Sequence, residues 1–174
     1  MPVRRHQTAA TLDVDVIDAG GDWSALDEAE DRIGRAAAAV ACWPGLIAQP
    51  SSVAIALSSD AEVAALNGSY RGQPKATNVL SFPAGKGNPT GFLGDIILAS
   101  ETVAREAAEQ SIPLEHHVTH LVVHGLLHLL GFDHETPAEA ERMEKLEIEI
   151  LSTLHIANPY NGDLLSARQP NNLE

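Results

Sequence analysis

Four short segments of the chain have the alternating or continuous apolar pattern that is typical of β-strands. Leu12–Ile17 alternates at period two, and the other three segments are Val53–Leu57, Asn78–Phe82 and Phe92–Leu98. Pro83 follows the third segment, and the Gly/Pro-rich stretch Ala84–Thr90 separates it from the fourth. The pattern therefore predicts four strands, with a loop between the last two.

Five other segments combine helical periodicity with helix start and stop signals. Leu114–Leu130 is mostly apolar, which predicts a buried central helix ended by Gly131. Thr136-Pro137-Ala138-Glu139 is a capping box with proline at the first helical position. The five predicted helices run from Asp22 or Ser24 to Ala41, from the capping box Ser59–Glu62 to Tyr70, from Ser100 to before Pro113, from Leu114 to Leu130, and from Thr136 to Leu154.

The order of these elements predicts an α+β (α/β-like) fold with a four-stranded mixed sheet packed with about five helices. The early βαβ segments favour parallel pairing, and Phe92–Leu98 is expected to pair antiparallel across the glycine loop. We expect a flexible N-terminus over residues 1–10, a single metal-dependent hydrolase domain over residues 11–157, and a disordered polar tail over residues 158–174.

Composition and charge narrow the class of protein. The chain has 174 residues and a formal net charge of −13, which argues against broad, non-specific nucleic-acid binding and against DNA as a partner. No apolar run approaches the ~18 residues of a membrane span, so we expect a cytoplasmic protein without membrane association. The single cysteine, Cys42, excludes an internal disulfide and is expected to be a small buried residue.

The middle of the chain reverses the overall charge. Between Ser69 and Gly91 there are three basic residues, Arg71, Lys75 and Lys86, and no acid, whereas the acids concentrate in Asp13–Asp31 and Glu135–Glu149 as predicted solvated helix faces or helix starts. Arg71 is the best candidate for binding a phosphate group, because a guanidinium can bond two oxygens at once.

The stretch HGLLHLLGFDH (residues 124–134) has the spacing of a metal site. His124 and His128 are one helical turn apart, so their rings project from one face about 6 Å apart along the axis. Gly131 can take the left-handed conformation that reverses the chain and brings His134 under the first two rings. Three imidazoles with an open fourth position are typical of catalytic zinc, although nickel, copper and iron also accept such ligands.

Other residues near this stretch are candidates for orienting the ligands, lining the cleft or contacting the substrate. His120 lies on the same helix face, about 12 Å from His128 along the axis, which is too far to share the ion. Asp133 either orients a ligand ring or is an ordinary loop acid. Lys75 is a second candidate for contacting the substrate. His116 and His117 are expected to be solvated at the helix start, and His6 and His155 have no assigned role.

Gly125 decides between two chemistries for this metal site. Zinc peptidases place a glutamate after the first histidine to move a proton from water to the leaving amine, and glycine cannot do so. A phosphodiester depends less on that proton shuttle and more on a cation that stabilises negative charge, for which Arg71 is available. The residues therefore favour phosphodiester hydrolysis over peptide hydrolysis.

Three segments together resemble the YbeY family of bacterial endoribonucleases, also called rRNA maturation factors: LNGSYRGQPKATNVLSFP, GFLGDIILA and HLVVHGLLHLLGFDH. The resemblance implies zinc ligands at His124, His128 and His134 and a functional arginine at Arg71. It implies cleavage of single-stranded RNA, maturation of the 16S rRNA 3′ end and ribosome quality control. The chain's acidity makes docking through the ribosome or a ribosomal protein more plausible than strong RNA binding alone.

Two alternative hypotheses remain open at this level. One is a metallopeptidase whose base comes from elsewhere, with Glu101 and Glu135 as candidates, and it is supported by the histidine spacing but opposed by Gly125. The other is a non-enzymatic, ribosome-associated factor in which zinc only holds the fold. An open coordination position favours an enzyme over the second alternative.

Overall fold

The computed structural model describes residues 11–85 and 89–160 of the chain. The strands are β1 (Leu12–Asp18), β2 (Ser51–Ser58), β3 (Val79–Pro83) and β4 (Phe92–Ala99). The helices are α1 (Ala29–Ala41), α2 (Asp60–Arg71), α3 (Ser100–Glu109), α4 (Leu114–Leu129) and α5 (Pro137–Thr153). The α+β class and the element order predicted from the sequence are confirmed.

The four strands form one mixed sheet in the order β1-β2-β4-β3. β1 pairs with β2 and β2 pairs with β4 in parallel, whereas β3 pairs with β4 antiparallel, with Val79 opposite Leu98 and Pro83 opposite Gly94. The predicted antiparallel pairing across the glycine loop is therefore confirmed. Because β3 is an edge strand, one side of its backbone faces away from the sheet.

The sheet has a main core on one face and a smaller apolar cluster on the other. Successive residues of a strand point to opposite faces, so Ile96 and Leu98 enter the main core while Ile97 packs against the smaller cluster. That smaller cluster contains Val63 of α2 and Leu80 of β3. The other face of β3 therefore packs against α4, the helix on which most of the histidines lie.

Helix α4 is the central element of the main core, as its apolar sequence predicts. Leu121, Val122, Leu126 and Leu127 are all 0% exposed. α1 packs against it and buries a face that includes Ile33 and two alanines, whose small side chains let two helix backbones approach closely. α4 is consequently held by α1, α3, α5, β3 and β4, which makes it a rigid support for a site.

The start of α1 differs from the prediction. The helix begins at Ala29, after a residue with positive φ at Glu28, and not at Asp22 or Ser24. The Asp22 carboxylate instead accepts hydrogen bonds from the backbone nitrogen and the hydroxyl of Ser24, at 3.0 and 2.6 Å. This local turn competes with a helix cap for the same carboxylate, which is why the cap residue was misplaced.

The other helix starts agree more closely with the sequence. The Thr136 hydroxyl accepts from the Glu139 backbone nitrogen at 3.2 Å, and the Glu139 carboxylate accepts from the Thr136 nitrogen at 3.3 Å, which completes the predicted capping box. The Ser59 side chain caps α2 by accepting from Glu62 at 3.2 Å. Ser100 is the first residue of α3 rather than its cap, since the N-cap position is Ala99.

Three expectations about burial were wrong. Cys42 is exposed, because it is the C-cap residue of α1 rather than part of its buried face. His117 is 3% exposed, although it lies in the first turn of α4 and was expected to be solvated. Glu147, in the acidic stretch that was expected to be solvated, is 0% exposed.

Several expectations concern parts of the chain beyond the described residues. Lys86, the predicted flexible N-terminus and most of the predicted tail lie outside the described residues. The domain boundary after residue 157 stays a prediction, although the turn beyond it places Tyr160 against Glu147 of α5. Within the described part of the chain, no helix has the length and apolarity that crossing a membrane requires.

Candidate metal centre

The histidine site begins with the way in which α4 ends. Gly131 has a φ of 99°, and its nitrogen donates to the His128 carbonyl while Phe132 donates to the Leu127 carbonyl, both at 3.0 Å. These two bonds form the Schellman turn that glycine allows after a helix. Phe132 packs against the core that contains Leu127, so the reversal is anchored and carries the chain back toward His134. The predicted role of Gly131 is therefore confirmed.

Each of the three histidines His124, His128 and His134 offers a ring nitrogen, and these nitrogens lie within 4.8 Å of one another. The Nε2 atoms of His124 and His128 are 3.1 Å apart. Two nitrogens bound to one tetrahedral zinc at its usual bond length are separated by about 3.3 Å. The three side chains therefore have the spacing of ligands of a single ion.

The protonation of the rings also fits a metal. Burial, together with the charges of His124 and His134, lowers the pKa of His128 to about 4. His128 is consequently neutral at physiological pH, and a neutral imidazole is the form that binds a metal. His124 is 2% exposed, so its ring is held in place by packing before any ion binds.

A buried carboxylate lies behind His124. Glu147 of α5 is hydrogen-bonded to the Nδ1 atom of His124, contacts the Nε2 atom of His120 at 3.0 Å, and accepts a hydrogen bond from the Tyr160 hydroxyl. Burial raises the pKa of Glu147, but the hydrogen bonds with His120 and His124 outweigh that effect and hold its pKa far below its ordinary value. The carboxylate is therefore ionised despite its burial.

Gly125 lies on the side of α4 that packs against the sheet. A Cβ atom built on this residue would be 3.1 Å from two side-chain carbons of Ile96 and 3.1 Å from the Ser81 hydroxyl. Ser81 also donates a long hydrogen bond of 3.4 Å to the Gly125 carbonyl. The glycine therefore has a packing role in addition to the chemical consequence of lacking a carboxylate.

The histidines open into a cleft with a volume of about 690 Å³. Arg71, at the end of α2, lines the same cleft, as does Ser81 of β3. The Arg71 guanidinium donates to the Ser81 carbonyl at 3.3 Å and lies 5.9 Å from the centre of the Phe82 ring. The structure thus brings Arg71 to the cleft of the three histidines, across more than fifty residues of sequence.

The remaining candidate residues are placed differently. Lys75 is exposed and does not line the cleft, so the structure does not bring it together with Arg71. Asp133 lines the cleft, but its carboxylate accepts a hydrogen bond from the backbone nitrogen of His134, at 2.8 Å, rather than from a ring. Glu135 lines the cleft, whereas Glu101 accepts from the Asp60 backbone nitrogen at 2.7 Å and caps α2.

His117 belongs to a second histidine–glutamate pair, partly buried, that the sequence did not reveal. Its Nε2 atom is 2.7 Å from Glu106 of α3, which also accepts from the Asn78 amide at 3.0 Å. Burial raises the pKa of Glu106, but the hydrogen bonds with His117 and Asn78 lower it below its ordinary value overall. The pair joins α3 to α4 next to the start of β3.

Glu147 is the most important site residue that sequence reasoning missed. It lies in the pattern Met143, Glu147, Ile150, Leu151, in which the other three residues are fully or almost fully buried. An acid at helical spacing within an apolar stripe is rarely left unpaired, so this pattern was a readable signal of a buried partner. The identity of the partner, His124, was not readable because it lies on another helix.

The cleft combines three convergent histidines with an arginine on an α+β fold. This arrangement is the one expected of a metal-dependent hydrolase. Comparison with known proteins identifies the family. The family model described as Endoribonuclease YbeY matches residues 26–155. The chain belongs to the Endoribonuclease YbeY family.

Individual relatives agree with this assignment. The chain is 46% identical to Endoribonuclease YbeY of Dinoroseobacter shibae, over 94% of this chain and 99% of the relative. It is 47% identical to Endoribonuclease YbeY of Chelativorans sp., over 91% and 99% of the two chains. Its fold is similar to the solution structure of TM1509 from Thermotoga maritima, at 24% identity and a TM-score of 0.50, over 89% of this chain and 99% of that one.

Proposed function

We propose that the protein is a hydrolytic endoribonuclease that cleaves phosphodiester bonds of single-stranded RNA with the help of a zinc ion. The observation that carries the proposal is the single cleft shared by Arg71 and the group His124, His128 and His134. Family membership supports the same activity, because the matching family and its relatives are named endoribonucleases.

Zinc is the ion that the site fits best, because three imidazoles supply a neutral nitrogen set with room for a fourth ligand. When bound, zinc makes water a nucleophile at neutral pH and polarises a phosphoryl oxygen. His124, His128 and His134 would hold it, with His124 fixed from behind by Glu147.

Arg71 supplies the positive charge at the cleft. Its hydrogen bond with the Ser81 carbonyl is long at 3.3 Å. A guanidinium has five N–H donors, so Arg71 can bond a phosphate oxygen while it keeps this contact. A donor placed where negative charge develops lowers the barrier to phosphodiester cleavage.

We further propose a role in rRNA processing, including maturation of the 16S rRNA 3′ end, and in ribosome quality control in the cytoplasm. Family membership supports rRNA as the substrate class. The net charge of −13 supports recruitment through the ribosome or a ribosomal protein, because phosphate binding alone would be weak for so acidic a chain.

The peptidase alternative loses part of its support. Glu101, one of the two proposed bases, is occupied as a cap of α2 and does not line the cleft. A peptide substrate commonly pairs with an exposed sheet edge, and Arg71 occupies the Ser81 carbonyl on the edge strand β3. Glu135 still lines the cleft, so a peptide substrate belongs in the assay.

The test compares wild-type protein with Arg71→Ala, His124→Ala and a control, Arg35→Ala, which removes an exposed arginine of α1. We expect Arg71→Ala to lower kcat/KM for single-stranded RNA by about 10²–10³-fold, as for removal of one donor to a developing anion. His124→Ala or a chelator should abolish cleavage, and Arg35→Ala should leave it unchanged.

Three outcomes would contradict the proposal. Cleavage of RNA that survives the chelator and both site variants would show a contaminating nuclease. Chelator-sensitive cleavage of an unstructured protein with the RNA left intact would favour the peptidase. RNA that stays intact at every enzyme dose, while metal removal lowers the melting temperature, would favour a non-enzymatic factor.

A further inference from the structure

We infer that Glu147 is a positioning residue for the metal site, which holds the His124 ring so that its Nε2 atom faces the other two histidines. The inference rests on the metal-binding part of the proposed function. It assigns a role to a residue of α5 that does not line the cleft and lies outside the metal-binding stretch of the sequence.

The contacts of the His124 ring carry the first step. Its Nδ1 atom bonds Glu147, while its Nε2 atom lies 3.1 Å from the Nε2 atom of His128. A carboxylate accepts hydrogen bonds and cannot donate them, so the ring must place its proton on Nδ1. The lone pair of Nε2 is then directed at the position where His128 and His134 converge.

The burial of Glu147 excludes a direct catalytic role. The residue is 0% exposed and does not line the cleft, so it cannot touch a substrate or deliver a proton to one. A fully buried carboxylate is costly unless its oxygens are paired. Here both oxygens are paired, Oε1 with His124 and Oε2 with His120 and Tyr160.

His120 and Tyr160 in turn fix the carboxylate. His120 lies one turn before His124 on α4 and contacts Glu147 at 3.0 Å, while Tyr160 packs edge-on against the His120 ring at 5.6 Å between centroids. Of the roles considered for His120, the contact with Glu147 supports orienting the ligands rather than lining the cleft. Tyr160 extends the network to the segment that follows α5.

The decisive measurement is zinc affinity by competition with a chelator, with zinc alone as the probe. We expect Glu147→Gln, which keeps the shape but removes the charge, to raise the zinc Kd by about 10- to 100-fold. Glu149→Gln is the matched control, because Glu149 is an exposed glutamate of the same helix and should leave the Kd unchanged. A wild-type Kd in folded Glu147→Gln protein would overturn the inference.

A second measurement separates positioning from general structural support. Nitrogen-15 NMR of the histidine rings should find His124 of the metal-free wild-type protein with its proton on Nδ1. A neutral His124 ring with its proton on Nε2 instead of Nδ1 would overturn the inference, and this result does not depend on whether Glu147→Gln folds. Tyr160→Phe, which removes one hydrogen bond to the carboxylate, should weaken zinc binding less than Glu147→Gln does.

The outcome is separable from that of the RNA-cleavage assay. Zinc binding that depends on Glu147, without RNA cleavage by the wild-type protein, would refute the endoribonuclease and leave the inference standing. If the wild-type protein cleaves RNA but Glu147→Gln leaves the zinc Kd unchanged, the inference is refuted and the endoribonuclease proposal stands.

Discussion

At the scale of single residues, Gly125 has consequences for both chemistry and packing. The absence of a carboxylate removes the proton shuttle of a zinc peptidase, which was evident from the sequence. The structure adds that a Cβ atom here would meet Ile96 and Ser81 at 3.1 Å. The glycine therefore keeps the contact between α4 and the sheet free of crowding, and it also suits phosphodiester chemistry.

Introducing at this position the glutamate that zinc peptidases carry should destabilise the protein. We expect Gly125→Glu to lower the free energy of unfolding by more than about 2 kcal/mol, because it overpacks the helix–sheet contact and introduces a charge beside Ile96. Urea unfolding followed by circular dichroism measures this change. Gly125→Ala should cost less, since the neighbours need to move by only a few tenths of an ångström. Wild-type stability in Gly125→Glu would show that the contact can open without cost.

At the scale of elements, the metal centre depends on how α4 ends. Gly131, with a φ of 99°, reverses the chain and allows His134 to return to the face that carries His124 and His128. The site therefore joins a rigid helix to a turn whose shape depends on one glycine. A change at Gly131 should affect stability and metal binding together.

Gly131→Ala should lower the free energy of unfolding by about 1–2 kcal/mol, because an L-residue resists a left-handed conformation. It should also weaken zinc binding, since His134 follows the turn. Thermal unfolding and zinc competition measure the two effects.

Gly34→Ala is the matched control for this change. Gly34 lies inside α1 without a positive φ, and nothing stands within 4 Å of an added Cβ atom. Alanine there should raise the free energy of unfolding by about 0.5–1 kcal/mol and leave the zinc Kd unchanged. Equal effects of the two substitutions would contradict the role assigned to the turn.

At the scale of the whole molecule, the metal site lies beside the core rather than within it. The core formed by α1, α4, α5 and the sheet is apolar, and its central residues such as Leu121, Ile96 and Ile150 are not metal ligands. The three histidines span only eleven residues of sequence. The fold should therefore persist without the ion, which distinguishes a catalytic site from a zinc ion that holds the fold.

Removal of the metal by a chelator should leave the far-ultraviolet circular dichroism spectrum almost unchanged. The melting temperature should fall modestly, because an ion present at about 100 times its Kd stabilises a protein by about 2.7 kcal/mol. Hydrogen exchange should increase mainly in the turn and loop between Gly131 and Glu135. Loss of the whole spectrum after chelation would instead support the non-enzymatic alternative.

Much of the fold followed from local patterns. The capping box at Thr136, the stop at Gly131 and the apolar run of α4 depend on interactions within a turn or two of helix, so nearby residues were sufficient to predict them. The start of α1 was predicted too early because the Asp22 side chain can either cap a helix or form a local turn, and it forms the turn. His117 was misplaced because its partner, Glu106, lies on another helix.

The sequence alone determined the order of the elements, the convergence of His124, His128 and His134, and the lack of an acid at Gly125, because each depends on spacing along one segment. Only the tertiary structure decided that Arg71 reaches the same cleft and that Glu147 bonds His124 from behind. These contacts join segments far apart in sequence, and their geometry depends on how the sheet and helices pack. The ligand spacing is a local property of α4 and its turn, whereas the orientation of the ligands is a property of the whole core.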